Sequence, residues 1–533
     1  MAVLYINGTI LTMKQKETAQ ALLEEDGRIL CVGTQAQCRQ YAQGLDSLTI
    51  RDLKGQTLMP GLIDAHSHIT ALASTVDLVP LETADSIPRL QELLAQAIRQ
   101  RKTEAGQWVQ GFGYDHNFLT EHQHPTRQQL DQVSTQHPIL IAHASGHMGV
   151  CNTLALEKLG ITEQTPDPEG GKIGRDERGK LNGYLEETAF ITLARPQSQP
   201  DPSALQRQLD AAQQIYLSYG ITTAQDGMTT PASWQLLDEA SRQDRLKLDV
   251  VCYWDMRKLS EMPAHVSDRA RLRIGGVKIF LDGSPQGKTA WMSRPYRLQP
   301  DYCGYPVWRD DQVEAFVRQA WQQGWQLLAH CNGDAAADQL IRAVAAVEPQ
   351  FPDQDLRPVM IHAQLVRPDQ LRQMAALKMA ASFFVAHTWY WGDIHLQNFG
   401  ERGMRISPLH SALQAHVPFT LHQDTPVIRP DMLETVQCAC RRITRQGQQL
   451  DPAERISVQQ ALEAVTINAA WQYHEEDRKG TLEAGKLADM IILDRNPLCC
   501  PVSQLTQIHI EETIKEGKTV YRRKPEVSQK QTD

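Results

Sequence analysis

The run MPGLIDAHSH, Met59 to His68, carries an apolar segment directly into His66-x-His68. In an extended chain residues two apart face the same side, so both imidazoles can reach one cation. A histidine pair alone is a weak signal, because imidazole packs and solvates as readily as it ligates. Three further apolar runs end in the same chemistry: WQLLAH closes on His330, VMIH closes on His362, and FTLH is followed by the carboxylate of Asp424. Neutral imidazoles with one carboxylate suit Zn, Mn or Fe(II) and do not suit an oxygen-seeking ion such as Ca. The expected cofactor is therefore a divalent transition metal, zinc by default, one or two per chain. Asp424 also has a plainer reading, as the N-cap of a helix begun at Thr425-Pro426.

Lys278, in GGVKIFLDGS, stands among Val277, Ile279 and Phe280. A buried lysine is costly unless partnered, and two readings are open. In one it pairs with Asp282. In the other CO2 adds to the amine, giving a carbamate able to bridge two cations about 3.5 to 4 Å apart. Further along, FFVAHTWYWGDIH offers His387 and Tyr390 as groups to polarise a substrate carbonyl, against the commoner role of aromatic clusters in packing. Tyr114, His116, His143 and His147 are weaker signals, most of which read as ordinary packing, with Tyr114 and His147 as the candidate substrate contacts. Arg429 could hold a substrate carboxylate by a bidentate contact, with a solvated surface arginine as the alternative.

These side chains need elements to position them. Eight near-continuous apolar runs, each followed by a helical stretch, mark a parallel sheet covered by helices. They are Leu58 to Asp64, Ile221 to Gln225, Leu248 to Tyr253, Gly276 to Leu281, Gln326 to Ala329, Val359 to Ile361, Ala380 to Val385 and Pro418 to Leu421. Eight such units predict an α/β fold, a closed (β/α)8 barrel of the TIM type, with chemistry at the C-terminal strand ends. Residues 70 to 217 exceed a single crossover, so they are predicted to be an inserted cap subdomain after the first strand, shaping the substrate site. Short strand-like runs at both ends, broken at Asn7-Gly8 and Asp26-Gly27, suggest a small antiparallel sheet near the N-terminus and a β-sandwich domain built from residues 1–57 and 477–525. The barrel then occupies 58–476, and 526–533 form a polar, frayed tail.

The formal charge of −9, from 54 basic and 63 acidic residues, gathers in no long block that would suit nucleic acid or an anionic membrane. No run of eighteen apolar residues occurs, and no secretion signal is expected at the N-terminus. The ten cysteines lack paired C-x-x-C spacing and read as reduced cytoplasmic thiols. The expected partner is a small-molecule substrate, with a homodimer left open.

The order His-x-His on strand one, Lys on four, His on five, His on six and Asp on eight resembles the amidohydrolase superfamily. The phrases MPGLIDAHSH, VKIFLDGS, AHCNGD, IHAQ, HQDTPV and TINAAWQYHEEDRKGTLEAGKLADMIIL are similar to its family 3 branch, the YtcJ-like and N-substituted formamide deformylase-like group, across the whole chain. The resemblance implies that His66, His68 and Asp424 hold one metal, that His330 and His362 hold a second, and that Lys278 bridges them. It implies hydrolysis of a non-peptide C–N bond by metal-activated hydroxide, with Asp424 as the proton carrier and an N-acyl or N-formyl amine as substrate. A cyclic amide or an ester is the alternative on the same site, and a non-catalytic metal-binding regulatory protein is the further one.

Overall fold

The computed structural model describes residues 1–14, 18–168, 171–194, 201–263 and 271–524. They fall into two compact units, one drawn from Met1–Thr70, Ala212–Thr425 and Pro430–Asp533, the other from Ala71–Ala211 and Pro426–Arg429. In the first unit eight strands form one parallel sheet in chain order: β1 (Leu62–Ile63), β2 (Ile221–Thr229), β3 (Asp249–Asp255), β4 (Leu272–Phe280), β5 (Gln326–Cys331), β6 (Val359–His362), β7 (Ala380–Phe383) and β8 (Phe419–Leu421). The sheet curls. Beyond the C-terminal ends of β1 and β8, His68 N donates to Thr425 O at 2.8 Å and Asp424 N donates to His66 O at 3.2 Å. Those two bonds bring the first and last strand ends together.

The apolar runs correspond to these strands, with one difference at the start. Leu58 to Asp64 breaks at Gly61, where a Cβ would meet the Thr222 side chain at 2.4 Å. Only Leu62–Ile63 joins the curled sheet, while Thr57–Pro60 pairs antiparallel with Met490–Leu493. The covering helices follow their apolar spacing. In Asp310–Gln322 the buried Val313, Val317, Ala320 and Trp321 lie on one face, Val313 and Val317 each contributing about 1.5 to 3 kcal/mol on burial. Helix Pro231–Arg242 opens with proline after the Thr230 capping box.

The chain ends differ from the single antiparallel sheet expected near the N-terminus. Ala2–Ile6 pairs antiparallel with Ala21–Glu25 but parallel with Leu48–Asp52, and Thr9–Leu11 leaves for a second sheet containing Thr57–Pro60 and the C-terminal strands. Tyr5, Leu22 and Ile29 of one sheet share a core with Leu58, Met490 and Ile514 of the other. Beneath these strands lies a buried charge network. Lys515 Nζ contacts Asp489 at 2.7 Å and Asp249, the first residue of β3, at 2.9 Å, and Lys479 binds Asp249 as well as Glu475 at 3.1 Å.

The second unit has its own six-stranded sheet, ordered Gly171–Arg175, Leu181–Glu187, Met148–Cys151, Ile139–His143, Val109–Tyr114 and Val79–Pro80. Its strands alternate as a sheet with two covered faces requires: Ile139 and Ile141 enter one apolar cluster and Leu140 enters the other. Among the described residues no helix is long and apolar enough to cross a membrane. The tail expected at 526–533 lies outside the described residues.

Candidate metal centre

His66 and His68 follow β1, Lys278 lies within β4, His330 within β5, His362 ends β6 and Asp424 follows β8. The curl of the sheet brings all six together. His66 Nε2 stands 3.4 Å and His68 Nε2 3.2 Å from Asp424 Oδ1, and His362 Nε2 is 4.0 Å from Oδ2. Lys278 Nζ is 3.1 Å from His66 Nε2, and His330 Nδ1 is 3.0 Å from His362 Nε2. His362 and Asp424 both hold positive φ, 74° and 55°, a conformation that costs a non-glycine residue roughly 1 to 3 kcal/mol and clusters at functional sites.

Hydrogen bonds behind the ring set the nitrogens. Gln225 donates its amide to Ala65 O at 2.9 Å and approaches Tyr473 Oη at 3.0 Å. Its oxygen therefore accepts from His66 Nδ1 at 2.6 Å, which turns the Nε2 lone pair inward. Gly283 O, which can only accept, lies 3.2 Å from His330 Nε2. The same His330 Nε2 lies 3.0 Å from Asn332 Nδ2, which donates to Gly283 O at 2.9 Å, and His330 Nδ1 faces His362. Behind His362, His422 Nε2 lies 3.1 Å from its Nδ1, and Ser382 Oγ lies 2.8 Å from His422 Nδ1. Sequence reasoning missed Gln225 and His422. For His422 a signal existed: it stands two residues before Asp424, the spacing of His66 and His68.

Burial holds the imidazoles of His66 and His362 well below their ordinary pKa and pushes His422 down to about 3, so these rings present lone pairs. Burial brings the Lys278 amine down to about 7. Among the described residues no carboxylate lies within ion-pair distance of Lys278. Asp282, the partner weighed from sequence, accepts instead from the backbone N–H groups of Trp291, Asn332 and Gly333 at 3.0, 2.9 and 2.7 Å. Nor is Asp424 a helix cap. The next helix, Met432–Arg441, is capped by Asp431.

The remaining candidates lie elsewhere in their own surroundings. His387, just past β7, is buried, with Nδ1 3.1 Å from His395 Nε2 and its ring against Phe384 and Trp391. The same Phe384 ring lies 5.4 Å from that of His422. Tyr390 donates its hydroxyl to Glu434 at 3.2 Å. In the second unit Tyr114 is buried, with its hydroxyl 3.0 Å from His124 Nδ1. His147 pairs with Glu187 at 2.9 Å, and Arg429 with Glu82 at 2.5 Å.

A model of the Amidohydrolase family matches residues 49–521. The chain belongs to the amidohydrolase family. It is a hydrolase acting on carbon–nitrogen bonds other than peptide bonds. Among its relatives, the N-substituted formamide deformylase of Arthrobacter pascens is 30% identical, covering 97% of this chain and 98% of that protein. YtcJ of Bacillus subtilis (strain 168), named as an amidohydrolase, is 24% identical over 98% of this chain and 99% of its own length. An uncharacterized metal-dependent hydrolase from Pyrococcus furiosus has a similar solved structure, with a TM-score of 0.75 and 27% identity, covering 93% of this chain and 100% of that one.

The amidohydrolase centre fits a metal on its own geometry. Among the described residues Asp424 Oδ1 is buried without a hydrogen bond, an arrangement that is unfavourable unless something else satisfies it. His66, His362 and Asp424 each offer a ligand atom, all within 4.8 Å of one another. A divalent ion among them would satisfy the orphaned oxygen and the inward-facing lone pairs together.

Proposed function

We propose that this amidohydrolase hydrolyses an N-formyl or N-acyl amine at the strand-end centre, and that the curled sheet carrying it is a (β/α)8 barrel. Asp424 carries the reading: a buried carboxylate oxygen without a hydrogen bond faces two histidine nitrogens at 3.2 and 3.4 Å. The substrate class rests on full-length similarity to a protein named for deformylation. In this reading His66, His68 and Asp424 would hold one divalent ion and His330 and His362 a second, zinc suiting the nitrogen-rich set. When bound, the metal supplies Lewis acidity that lowers the pKa of water and polarises the scissile carbonyl.

The protein's own groups do the rest. CO2 adding to the neutral Lys278 amine would form an N–C bond and release one proton, and the resulting carbamate would give the centre a carboxylate-type ligand. Asp424 takes a proton from the attacking water and passes it to the leaving nitrogen, so the amine departs neutral. His387, its ring held by His395 and Trp391, is the group we assign to the developing carbonyl oxyanion. The substrate is a small molecule, and the reaction calls for neither nucleic acid nor membrane.

Zinc-reconstituted protein incubated with N-formyl amines, N-acetyl amines, N-acyl amino acids, lactams and esters tests this. Release of free amine with formate or a carboxylate is expected. Turnover confined to lactams or esters would move the assignment to those substrates. No turnover at full metal occupancy would favour a binding protein.

A further inference from the structure

The inserted unit holds a second histidine and aspartate cluster, independent of the hydrolytic reading. Asp115 and His116 follow the strand Val109–Tyr114, and His143 ends the neighbouring parallel strand Ile139–His143. Two adjacent strand ends thus deliver three side chains to one place. His143 Nε2 lies 3.3 Å from Asp115 Oδ1 and 3.3 Å from His116 Nδ1, and the third edge, His116 Nδ1 to Asp115 Oδ1, is 3.7 Å. Ligands on a tetrahedral ion with bonds of about 2.0 to 2.1 Å stand about 3.3 to 3.4 Å apart. Two edges of this triangle have that length and the third exceeds it by a few tenths of an ångström.

We infer that Asp115, His116 and His143 form a binding site for a divalent transition metal of the zinc type. Two imidazole nitrogens with one carboxylate oxygen select such an ion over calcium or magnesium. Three ligands leave a fourth position, and His116, 28% exposed, puts the site within reach of solvent.

Supporting contacts orient the ligands, as metal sites require. Asn117 donates its backbone and side-chain N–H to Asp115 Oδ1, each at 2.8 Å. The His124 ring stacks on His116 at 4.1 Å, and Tyr114 Oη lies 3.0 Å from His124 Nδ1. His143 Nδ1 faces Ser145 Oγ at 2.9 Å and Ser145 N at 3.0 Å. With metal on Nε2, the proton sits on Nδ1 and goes to the serine oxygen. Without metal, Nδ1 accepts from the backbone and Nε2–H is donated to Asp115. The site is therefore a choice between an ion and an internal hydrogen bond, and metal binding decides it.

The test counts metal in a full-length His66→Ala/Asp424→Ala variant, which lacks two ligands of the strand-end centre. After chelation and titration with Zn2+, it is expected to retain about one equivalent at micromolar free metal, and Co2+ is expected to give visible absorption of tetrahedral intensity. Adding His116→Ala and His143→Gln removes both signals while circular dichroism is kept. If the variant holds no metal, or holds it equally well after both histidines are replaced, the inference is overturned. If the double variant does not fold, the comparison is made between wild type and His116→Ala, where the loss of one equivalent supports the site and equal metal content refutes it.

Discussion

Two regions of the first unit bury lysine, and they do so in opposite ways. Near the chain ends Lys515 is fully buried between Asp249 and Asp489. Its charge is compensated, and although burial works against it, the two carboxylates raise its pKa above the ordinary value. At the C-terminal ends of the strands Lys278 is equally buried but touches a histidine nitrogen, and burial brings its amine down to about 7. A buried charge paired in this way serves the fold, and breaking the pair is costly. A buried amine with no carboxylate at ion-pair distance among the described residues, beside an Asp424 oxygen that none of them hydrogen-bonds and two residues with positive φ, is the arrangement expected where chemistry is done. Stability and reactivity are thus assigned to different lysines of the same unit.

The largest effect expected from breaking this contrast is on Lys278. Lys278→Ala should lose bound metal and at least about 10³-fold in turnover, with the melting temperature kept within a few degrees. Short carboxylic acids should partly restore turnover. Elemental analysis with kinetics checks both, and an equally large loss of stability would erase the distinction. The opposite result is expected at the other lysine site. Asp249→Asn should cost about 3 kcal/mol in urea denaturation, because it leaves buried ammonium groups short of a partner, while turnover per folded molecule is unchanged.

The same network sets a pH window. Burial works against ionisation of Asp249, but Lys479 and Lys515 outweigh it and lower its pKa from the ordinary 3.8, so its contribution is full above about pH 4 and is lost as pH falls toward the folded value. Lys515 is raised above its ordinary 10.5, so its contribution holds below that pH and is lost as pH rises through the folded value. Melting curves of wild type against Asp249→Asn should converge at low pH.

How much of this was legible from sequence depended on what was locally encoded. The strand-end ligands were, because apolar runs and the two-residue spacing of His66 and His68 are written in consecutive residues. The partner of Lys278 was not. Asp282 is four residues away, yet the loop after β4 turns its carboxylate onto the backbone of Trp291, Asn332 and Gly333. Gln225 escaped notice because its role depends on the register of β2 beside β1, and the small antiparallel sheet expected near the N-terminus divides between two sheets because strand partners are chosen by tertiary packing.

Two smaller effects sharpen the contrast. Gln225→Ala frees the His66 ring and should weaken metal binding about 10- to 100-fold, measured by competition with a chelator, without the stability loss of Asp249→Asn. Tyr390→Phe should change turnover by no more than about fivefold, since its hydroxyl serves Glu434 and one such hydrogen bond contributes about 1 kcal/mol.

The central claim, that the strand-end histidines and Asp424 form a metal-dependent hydrolytic centre, is tested most directly by turnover of an N-formyl amine by the same protein before chelation, after chelation and after return of zinc. Turnover should vanish with the metal and recover as metal is restored toward stoichiometry. Undiminished turnover in protein stripped of detectable metal would contradict it.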